Sequence, residues 1–235
     1  MKKIIDGYVI RLNKYKESDA IVTILTENGI DTFKARGIYK NNNKNAYALN
    51  LYSRGEYIIN YKTEGGNETL ISASLLSFVD KVYESLEYAL LFGIMGEIAN
   101  KYSNFYIVFD YIFNHISEID VNVGILFCLK FICKQEGVLP IGDKCIYCES
   151  NSNIVHLSFT EGGFICSNCN DNGICDDKQI LHAYHIIYKM NLENLPLVKL
   201  DKKICYYFID KFYDYLESSI GIKLVSKNVF LALKE

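Results

Sequence analysis

Two Cys-x-x-Cys pairs are the residues of this chain whose type and spacing point most directly to chemistry. Cys145 and Cys148 form the first pair, Cys166 and Cys169 form the second, and seventeen residues separate the pairs. A gap of two residues lets both thiolates of a tight turn point at one ion, about 2.3 Å away. This spacing is typical of a four-cysteine zinc site. We therefore predict one Zn2+ held by these four side chains.

A shell of four thiolates argues against catalysis at this ion. A catalytic zinc keeps one position open for water or substrate, whereas four cysteines complete the tetrahedron, so the predicted role is structural. The alternative is a pair of unligated or redox-active turns, although the βαβ context of a thioredoxin-like motif is missing. His156 and Cys175 lie near the pairs and are interpreted as bystanders. The chain has no P-loop, GxSxG or HExxH motif, and we predict that it is not an enzyme.

The second candidate site is a set of cations in the N-terminal third. Residues 1–79 hold 11 Lys and Arg against 8 Asp and Glu, a net charge of +3, whereas residues 80–235 hold 14 against 20. No acidic residue occurs between Thr32 and Asn50. The cations predicted to contact nucleic-acid phosphates are Lys34, Arg36, Lys40 and Lys44, with Arg11 and Arg54 as further candidates.

Aromatic side chains lie among these cations. Phe33, Tyr39 and Tyr47 are available for stacking on bases, and stacking combined with a positive groove is typical of single-strand binding. The alternative is a solvated basic loop that binds no ligand.

The elements that position the cations are predicted to be strands. Runs rich in Ile, Val and Leu alternate with turn residues, at Ile4–Leu12, Ala20–Thr26, Ile30–Gly37, Arg54–Tyr61 and Thr69–Ser74. Glu27–Gly29 reads as a hairpin turn, and a second turn is predicted at Gly65–Asn67. Five short strands in under 80 residues favour a small closed barrel. The polar loop Ile38–Ala46 is interpreted as mobile.

The pattern changes to a helical period after Phe78. Apolar residues fall four apart at Leu86, Leu90, Ile94 and Ile98, which places them on one helical stripe. Further helices are predicted at Phe105–Ile116, Val123–Gln135, 178–190 and 201–218. The fold class is therefore α+β with more than one domain: a β-barrel domain over 1–78, then a helical domain over 79–235 that carries the cysteine element, 142–175, as an insertion.

The chain shows no signal for a membrane or for export. The apolar run Gly124–Cys133 is interrupted by Lys130 and falls short of the about 20 residues that span a bilayer. The opening residues MKKIIDGYVIRL predict a strand rather than a signal peptide. With its cysteines in Cys-x-x-Cys pairs and apolar helical patterns, we predict a reducing cytoplasmic compartment.

Four segments, taken in order, carry a resemblance to a known family. They are GYVIRLNKYKESDAIVTILTENGIDTFKARG, with ESD at Glu17–Asp19 and ARG at Ala35–Gly37; LKFICKQEGVLPIGDKCIYC; FTEGGFICSNC; and GIKLVSKNVF, whose Lys223, Ser226 and Lys227 match a closing LKSR element. Together they resemble the RecO family of bacterial DNA repair proteins along nearly the whole chain.

The resemblance implies an OB-fold N-terminal domain, a helical domain and an embedded zinc element. It also implies binding of single- and double-stranded DNA, strand annealing without ATP, and a location in the cytoplasm with the nucleoid. The partners it implies are RecR, the acidic C-terminal tail of single-stranded DNA-binding protein, and RecA, which is loaded onto coated gaps.

Two departures and two alternatives accompany this prediction. Asparagines replace much of the basic run expected after Gly37, and the final Arg of the closing element is Lys227, so DNA binding is expected to be weaker or more dependent on RecR. The alternatives are a zinc-dependent nucleic-acid enzyme such as a small nuclease, and a zinc-ribbon adaptor that binds only proteins.

Overall fold

The computed structural model describes residues 2–61 and 68–234 and has a mixed α+β architecture. The chain divides into two compact units, one formed by Met1–Ser85 with Met95–Phe113 and the other by Leu86–Ile94 with Asn114–Glu235. These units do not coincide with a single cut after residue 78, because residues 95–113 return to the N-terminal unit. The domain limits 1–78 and 79–235 stay a prediction.

The first unit contains a closed five-stranded barrel. Its strands are β1 (Lys2–Tyr15), β2 (Asp19–Thr26), β3 (Gly29–Ala35), β4 (Arg54–Asn60) and β5 (Thr69–Ser77). They are hydrogen-bonded around the barrel in the order β1-β2-β3-β5-β4. The five predicted strands and the closed barrel are thus confirmed, and the small five-stranded barrel is the architecture of an OB-fold. The turn predicted at Gly65–Asn67 lies outside the described residues.

The barrel closes because β1 is long enough to pair on both sides. Its first half pairs with β4 from Lys2 to Tyr8, and its second half pairs with β2 from Tyr8 to Tyr15. Successive side chains of a strand point to opposite faces. Alternate residues such as Val22, Ile24 and Phe33 therefore fill the interior, where they are almost fully buried.

Helix α3 (Tyr106–Asn114) follows two others, α1 (Lys81–Glu84) and α2 (Leu86–Lys101), and packs on the outer face of β1. The Tyr8 ring lies 4.9 Å from the ring of Phe109 and 4.8 Å from that of Phe113, centroid to centroid. Its hydroxyl donates a hydrogen bond of 2.6 Å to Asp110. This part of the barrel surface is therefore core and is closed to a ligand.

The second unit is mainly helical. Its remaining helices are α4 (Val121–Gln135), α5 (Lys178–Lys189), α6 (Lys202–Ile220) and α7 (Lys227–Lys234). The predicted helices are confirmed to within a few residues, whereas α7 was not predicted. Asp120, Asp177 and Asp201 cap the N-termini of α4, α5 and α6 by accepting backbone hydrogen bonds, as short polar side chains do at this position. No described helix is long and apolar enough to span a membrane.

A three-stranded sheet lies between α4 and α5 along the chain. Its strands are β6 (Ile141–Cys145), β7 (Ile154–Ser158) and β8 (Gly163–Cys166), hydrogen-bonded in the order β6-β8-β7. The antiparallel β7–β8 pair forms the hairpin between the two cysteine pairs, and β6 runs parallel to β8. The sheet lies within the predicted insertion 142–175 except for its first residue.

Candidate metal centre and nucleic-acid interface

The four cysteines converge because each pair begins at the end of a strand. Cys145 ends β6 and Cys166 ends β8, and these two strands are neighbours. After each strand the chain turns at once, with the Glu149 N–H bonded to the Cys145 carbonyl at 2.9 Å and the Cys169 N–H bonded to the Cys166 carbonyl at 3.0 Å. The two tight turns therefore lie side by side and present their thiols to one point.

The spacing of the sulfur atoms fits a single tetrahedral ion. All four Sγ atoms lie within 4.8 Å of one another, and Cys148 Sγ is 3.6 Å from Cys166 Sγ. Zinc–sulfur bonds of about 2.3 Å place the ligand atoms of a tetrahedron about 3.8 Å apart. Cys145 and Cys166 are buried whereas Cys148 is exposed, so the centre has one face toward solvent.

Backbone donors prepare the thiolates for a cation. Burial opposes ionisation of Cys145, but N–H groups of Cys148, Cys166 and Tyr147 outweigh it and lower the pKa of Cys145 to about 6. Hydrogen bonding with Cys148 and Cys166 raises the pKa of Cys169 to about 12. One thiolate thus forms readily while further negative charge is resisted. A divalent cation removes that resistance because it deprotonates its thiol ligands.

Gly163 sets the approach of β8 to β6. Its φ is +149°, and a Cβ at this position would lie 2.4 Å from the Ile141 carbonyl oxygen and 2.6 Å from the Ile141 nitrogen. Only glycine fits this backbone and this distance. The Gly-Gly sequence before the second cysteine pair is therefore required by the packing of the two strands that carry the buried ligands.

The neighbouring His156 and Cys175 stand outside the cluster, as predicted. His156 Nδ1 lies 2.7 Å from Asp176 Oδ2, which also accepts the Leu157 N–H at 2.7 Å. Cys175 is exposed. Within the described part of the chain, the four-cysteine cluster is the group of three or more His, Cys, Asp or Glu side chains arranged to hold a metal.

The predicted cations on the barrel fall into two sets. Lys34 is bound to Asp19, with Nζ 2.8 Å from Oδ2 and only 16% of its side chain exposed. Arg54 makes a two-pronged ion pair with Asp6, at 2.9 and 3.0 Å, and this hydrogen bonding raises its pKa further. The charges of Lys34 and Arg54 are therefore neutralised by carboxylates of the protein itself.

The other set faces solvent. Arg36, Lys40, Lys44 and Arg11 are exposed, and none has an ion pair with a residue of the described ranges. Arg36 and Lys40 line an open cleft of about 560 Å3 together with Ser18, Asp19, Gly37 and Asn41–Asn43. This arrangement offers positive charge around a space that an extended phosphate chain can enter.

Hydrogen bonds hold the loop that carries these cations, and its mobility stays a prediction. Asp19 Oδ1 accepts the Gly37 N–H at 2.8 Å, so the ESD and ARG motifs hold each other. Asn43 Nδ2 donates to the Gly37 carbonyl at 2.8 Å, and Asn45 Oδ1 accepts the Ala73 N–H at 3.0 Å. The asparagines thus serve as internal donors and acceptors, and the backbone of the cleft is set before any ligand arrives.

One of the three aromatic residues predicted to stack on bases is buried in the barrel core. Phe33 is 1% exposed in the barrel core, with its ring 5.7 Å from that of Tyr57, so the expectation that it stacks on bases is wrong. Adjacent residues of a strand face opposite sides, and the outward position belongs to Lys34. Tyr39 and Tyr47 are 47% and 58% exposed and stay candidates.

Sequence reasoning missed Tyr15 as an aromatic neighbour of the basic cleft. Its ring is 44% exposed, and the Lys34 ammonium lies 4.7 Å from the ring centroid. Tyr15 also lies opposite Asp19 in the β1–β2 ladder. The predicted strand ended at Leu12, whereas β1 continues to Tyr15, so Tyr15 was left outside the barrel.

The closing element near the C-terminus has structural contacts. Lys227 Nζ lies 2.9 Å from Asp214 Oδ1 and 3.0 Å from Glu217 Oε2. Ser226 is buried and receives a hydrogen bond of 3.2 Å from the Tyr213 hydroxyl. The motif therefore fastens α7 to α6.

Comparison with known proteins finds that this chain is similar to proteins named for DNA repair. Residues 1–79 match the family model described as the N-terminal part of recombination protein O. A DNA repair protein RecO of Bacillus pumilus is 28% identical over 70% of this chain and 67% of its own length. The RecO of Bacillus subtilis is 25% identical over 94% of this chain and 91% of its own length.

A further RecO, of Oceanobacillus iheyensis, is 22% identical over 97% of this chain and 93% of its own length. Among solved structures, an asparaginyl-tRNA synthetase of Entamoeba histolytica aligns with 59% of this chain and 33% of its own at a TM-score of 0.30 and 9% identity, which is too low to bear on the fold. The matches to RecO proteins extend beyond the barrel through the cysteine element and the helices. They confirm the resemblance that the motifs predicted and identify the chain as a relative of the bacterial RecO proteins.

Proposed function

We propose that this chain is a DNA-binding recombination mediator without catalytic activity. The observation that carries the proposal is the fixed, open cleft on the barrel whose exposed cations, Arg36 and Lys40, have no ion-pair partner among the described residues. The relationship to proteins named for DNA repair supplies the biological setting.

The proposed contact set is Arg36, Lys40 and Lys44. Exposed cations bind phosphates through charge attraction and release of counterions, which is independent of base sequence. Three phosphate contacts with single-stranded DNA predict a salt slope of about −2. We assign Lys34 and Arg54 to structural ion pairs instead. Arg11, an exposed residue of β1, stays a candidate.

Annealing follows from the same chemistry. A protein that neutralises the phosphates of two strands lowers their mutual repulsion, and base pairing then selects the partner. The proposed partners are RecR, the acidic tail of single-stranded DNA-binding protein, and RecA at coated gaps. They are supported by the family relationship alone.

For the cysteine centre, the proposal is one structural Zn2+ held by Cys145, Cys148, Cys166 and Cys169. Four thiolates at tetrahedral spacing fill the coordination shell and suit zinc. The ion would hold the turns after β6 and β8 together, beside the buried side chains of Phe164 and Ile165 in β8.

The test of DNA binding is charge reversal of the three proposed contacts, Arg36→Glu, Lys40→Glu and Lys44→Glu, in one protein. Fluorescence anisotropy with a single-stranded oligonucleotide should show at least a ~10-fold loss of affinity and a shallower salt slope. A matched control reverses three exposed lysines of the other unit, Lys178, Lys199 and Lys203, and should bind as the wild type does. Equal losses in the two variants would exclude the cleft as the DNA site.

The mediator role needs a separate measurement. Annealing of complementary strands coated with single-stranded DNA-binding protein should be accelerated by the wild-type chain, with and without RecR, in the absence of ATP. A wild-type chain that binds DNA but never accelerates annealing would contradict the mediator role while leaving the DNA site intact.

A further inference from the structure

A second basic cavity lies in the helical unit, within residues 130–190. It has a volume of about 480 Å3 and is lined by Lys130, Lys134, Gly137, Leu139, Tyr188, Lys189 and Met190. The lining comes from the ends of α4 and α5 and the turns that follow them. Three of the seven lining residues are lysines, although this unit contains more acidic than basic residues.

Lys130 is the most constrained of the three. Its residue is 7% exposed, and its Nζ donates hydrogen bonds of 2.6 Å to the carbonyls of Tyr188 and Met190. These bonds hold the ammonium group at the C-terminal end of α5 and leave one of its three N–H groups for another acceptor. The Lys130 ammonium group is therefore held in place with one N–H that it can donate to a bound group.

The positive charge around this cavity is only partly compensated. Lys189 is paired with Asp143 at 2.8 Å, whereas Lys134 is exposed and has no ion pair within the described ranges. Burial, followed by the charges of Lys134 and Lys189, lowers the pKa of Lys130 to about 8. The neighbours thus repel one another, and an anion bound between them would relieve that repulsion.

We propose that this cavity binds a phosphate group, held by Lys130, Lys134 and Lys189. Lysine ammonium groups bind phosphate as point charges, and the lining holds three of them. A phosphate also offers three oxygens for three amines. Leu139 adds apolar surface to the lining, which suits the organic part of a phosphate monoester. The site is separate from the barrel and does not depend on the proposed function.

Titration calorimetry with the full chain tests this assignment, using inorganic phosphate and adenosine monophosphate at constant ionic strength set with chloride. Both ligands should bind the wild type, and the double variant Lys134→Ala/Lys189→Ala should bind at least ~10-fold more weakly. Lys178→Ala, at the opposite end of α5, is the matched control and should bind normally. Tighter binding of the nucleotide assigns the site to a nucleoside phosphate, and equal binding assigns it to free phosphate.

Because Lys130 also caps α5, its replacement can unfold the unit, so a labelling experiment tests it in the intact chain. Pyridoxal 5′-phosphate condenses with an amine to an imine with loss of water, and borohydride then reduces the imine to a stable secondary amine. Peptide mapping should find the label on Lys130, Lys134 or Lys189, with protection by phosphate. Absence of phosphate binding, an unchanged affinity in the double variant, labelling that phosphate does not reduce, or tighter binding of oligoglutamate or an oligonucleotide at these lysines would each overturn the proposal.

Discussion

The cysteine centre and the basic cleft are built by opposite means. At the cysteine centre the ligands themselves are fixed, since Cys145 and Cys166 are buried at the ends of paired strands. At the cleft only the backbone is fixed, by Asp19, Asn43 and Asn45, while the charged ends extend into solvent. A metal needs ligand atoms at set distances, whereas a phosphate chain needs only charge within reach. Changes at the first site should therefore affect folding, and changes at the second should affect binding.

The largest effect is expected from removal of the metal ligands by Cys145→Ser with Cys166→Ser. The free energy of unfolding should fall by several kcal/mol, because the binding of structural zinc is worth on the order of 10 kcal/mol in small zinc domains. Elemental analysis and thermal melting measure the loss. Cys175→Ser, at an exposed cysteine outside the cluster, should keep both metal and melting temperature. A ligand variant that lost its metal yet melted normally would show that the ion has no structural role.

The next effect concerns the backbone that presents the ligands. Gly163→Ala should lower the free energy of unfolding by about 2–4 kcal/mol, since its Cβ would meet the Ile141 backbone. Gly173→Ala provides a control with a positive φ of 70° but no atom within 4 Å of the new Cβ. It should cost about 1 kcal/mol. Similar losses in the two variants, measured by urea denaturation, would mean that the close approach of β6 and β8 is unimportant.

A smaller effect should separate the two sets of cations on the barrel. Arg36→Ala should reduce the salt slope for single-stranded DNA by about 0.7, as expected for one lost phosphate contact, without changing stability. Arg54→Ala should leave the slope unchanged and lower the melting temperature, because it breaks the pair with Asp6. Anisotropy at several salt concentrations, beside thermal melting, distinguishes them. The reverse pattern would move the DNA contact to the Asp6 side of the barrel.

The smallest effect is a dependence on acid at the base of the cleft. Hydrogen bonds from Lys34 and from the Gly37 N–H hold the pKa of Asp19 below its ordinary value. The unfolded chain therefore binds more protons at this group, so its contribution to stability is complete above about pH 4 and is lost as the pH falls through the lower, folded value. Asp19→Asn should flatten the melting temperature between pH 3 and 5 relative to wild type. An unchanged acid profile would show that Asp19 does not anchor the loop.

The sequence predicted elements better than side-chain environments. Strand and helix positions follow from the period of apolar residues, which is local, and they were predicted to within a few residues. The partners of Lys34 and Arg54 depend on the register of neighbouring strands, which no local pattern reveals. The error at Phe33 has a different cause, because the sequence already held the signal. Phe33 and Lys34 are adjacent residues of one strand, so their side chains point to opposite faces and cannot both contact the same ligand.

The loop after Gly37 shows what composition alone does not reveal. Its asparagines have the composition of a solvated segment, yet Asn43 and Asn45 bond to backbone groups on neighbouring segments. A side-chain amide can hydrogen-bond to water or to the backbone of the protein. The sequence does not show which partner it has, because that depends on how close a backbone group lies in the folded chain.

The sequence by itself predicted the cluster of four cysteines, the five barrel strands, most of the helices and the resemblance to RecO proteins, because each rests on spacing along the chain. Only the tertiary structure decided which cations are available, that Tyr15 lies beside Lys34, and that Lys130, Lys134 and Lys189 share one cavity. Those outcomes depend on distances between residues far apart in sequence, and such distances are set by strand register and helix packing.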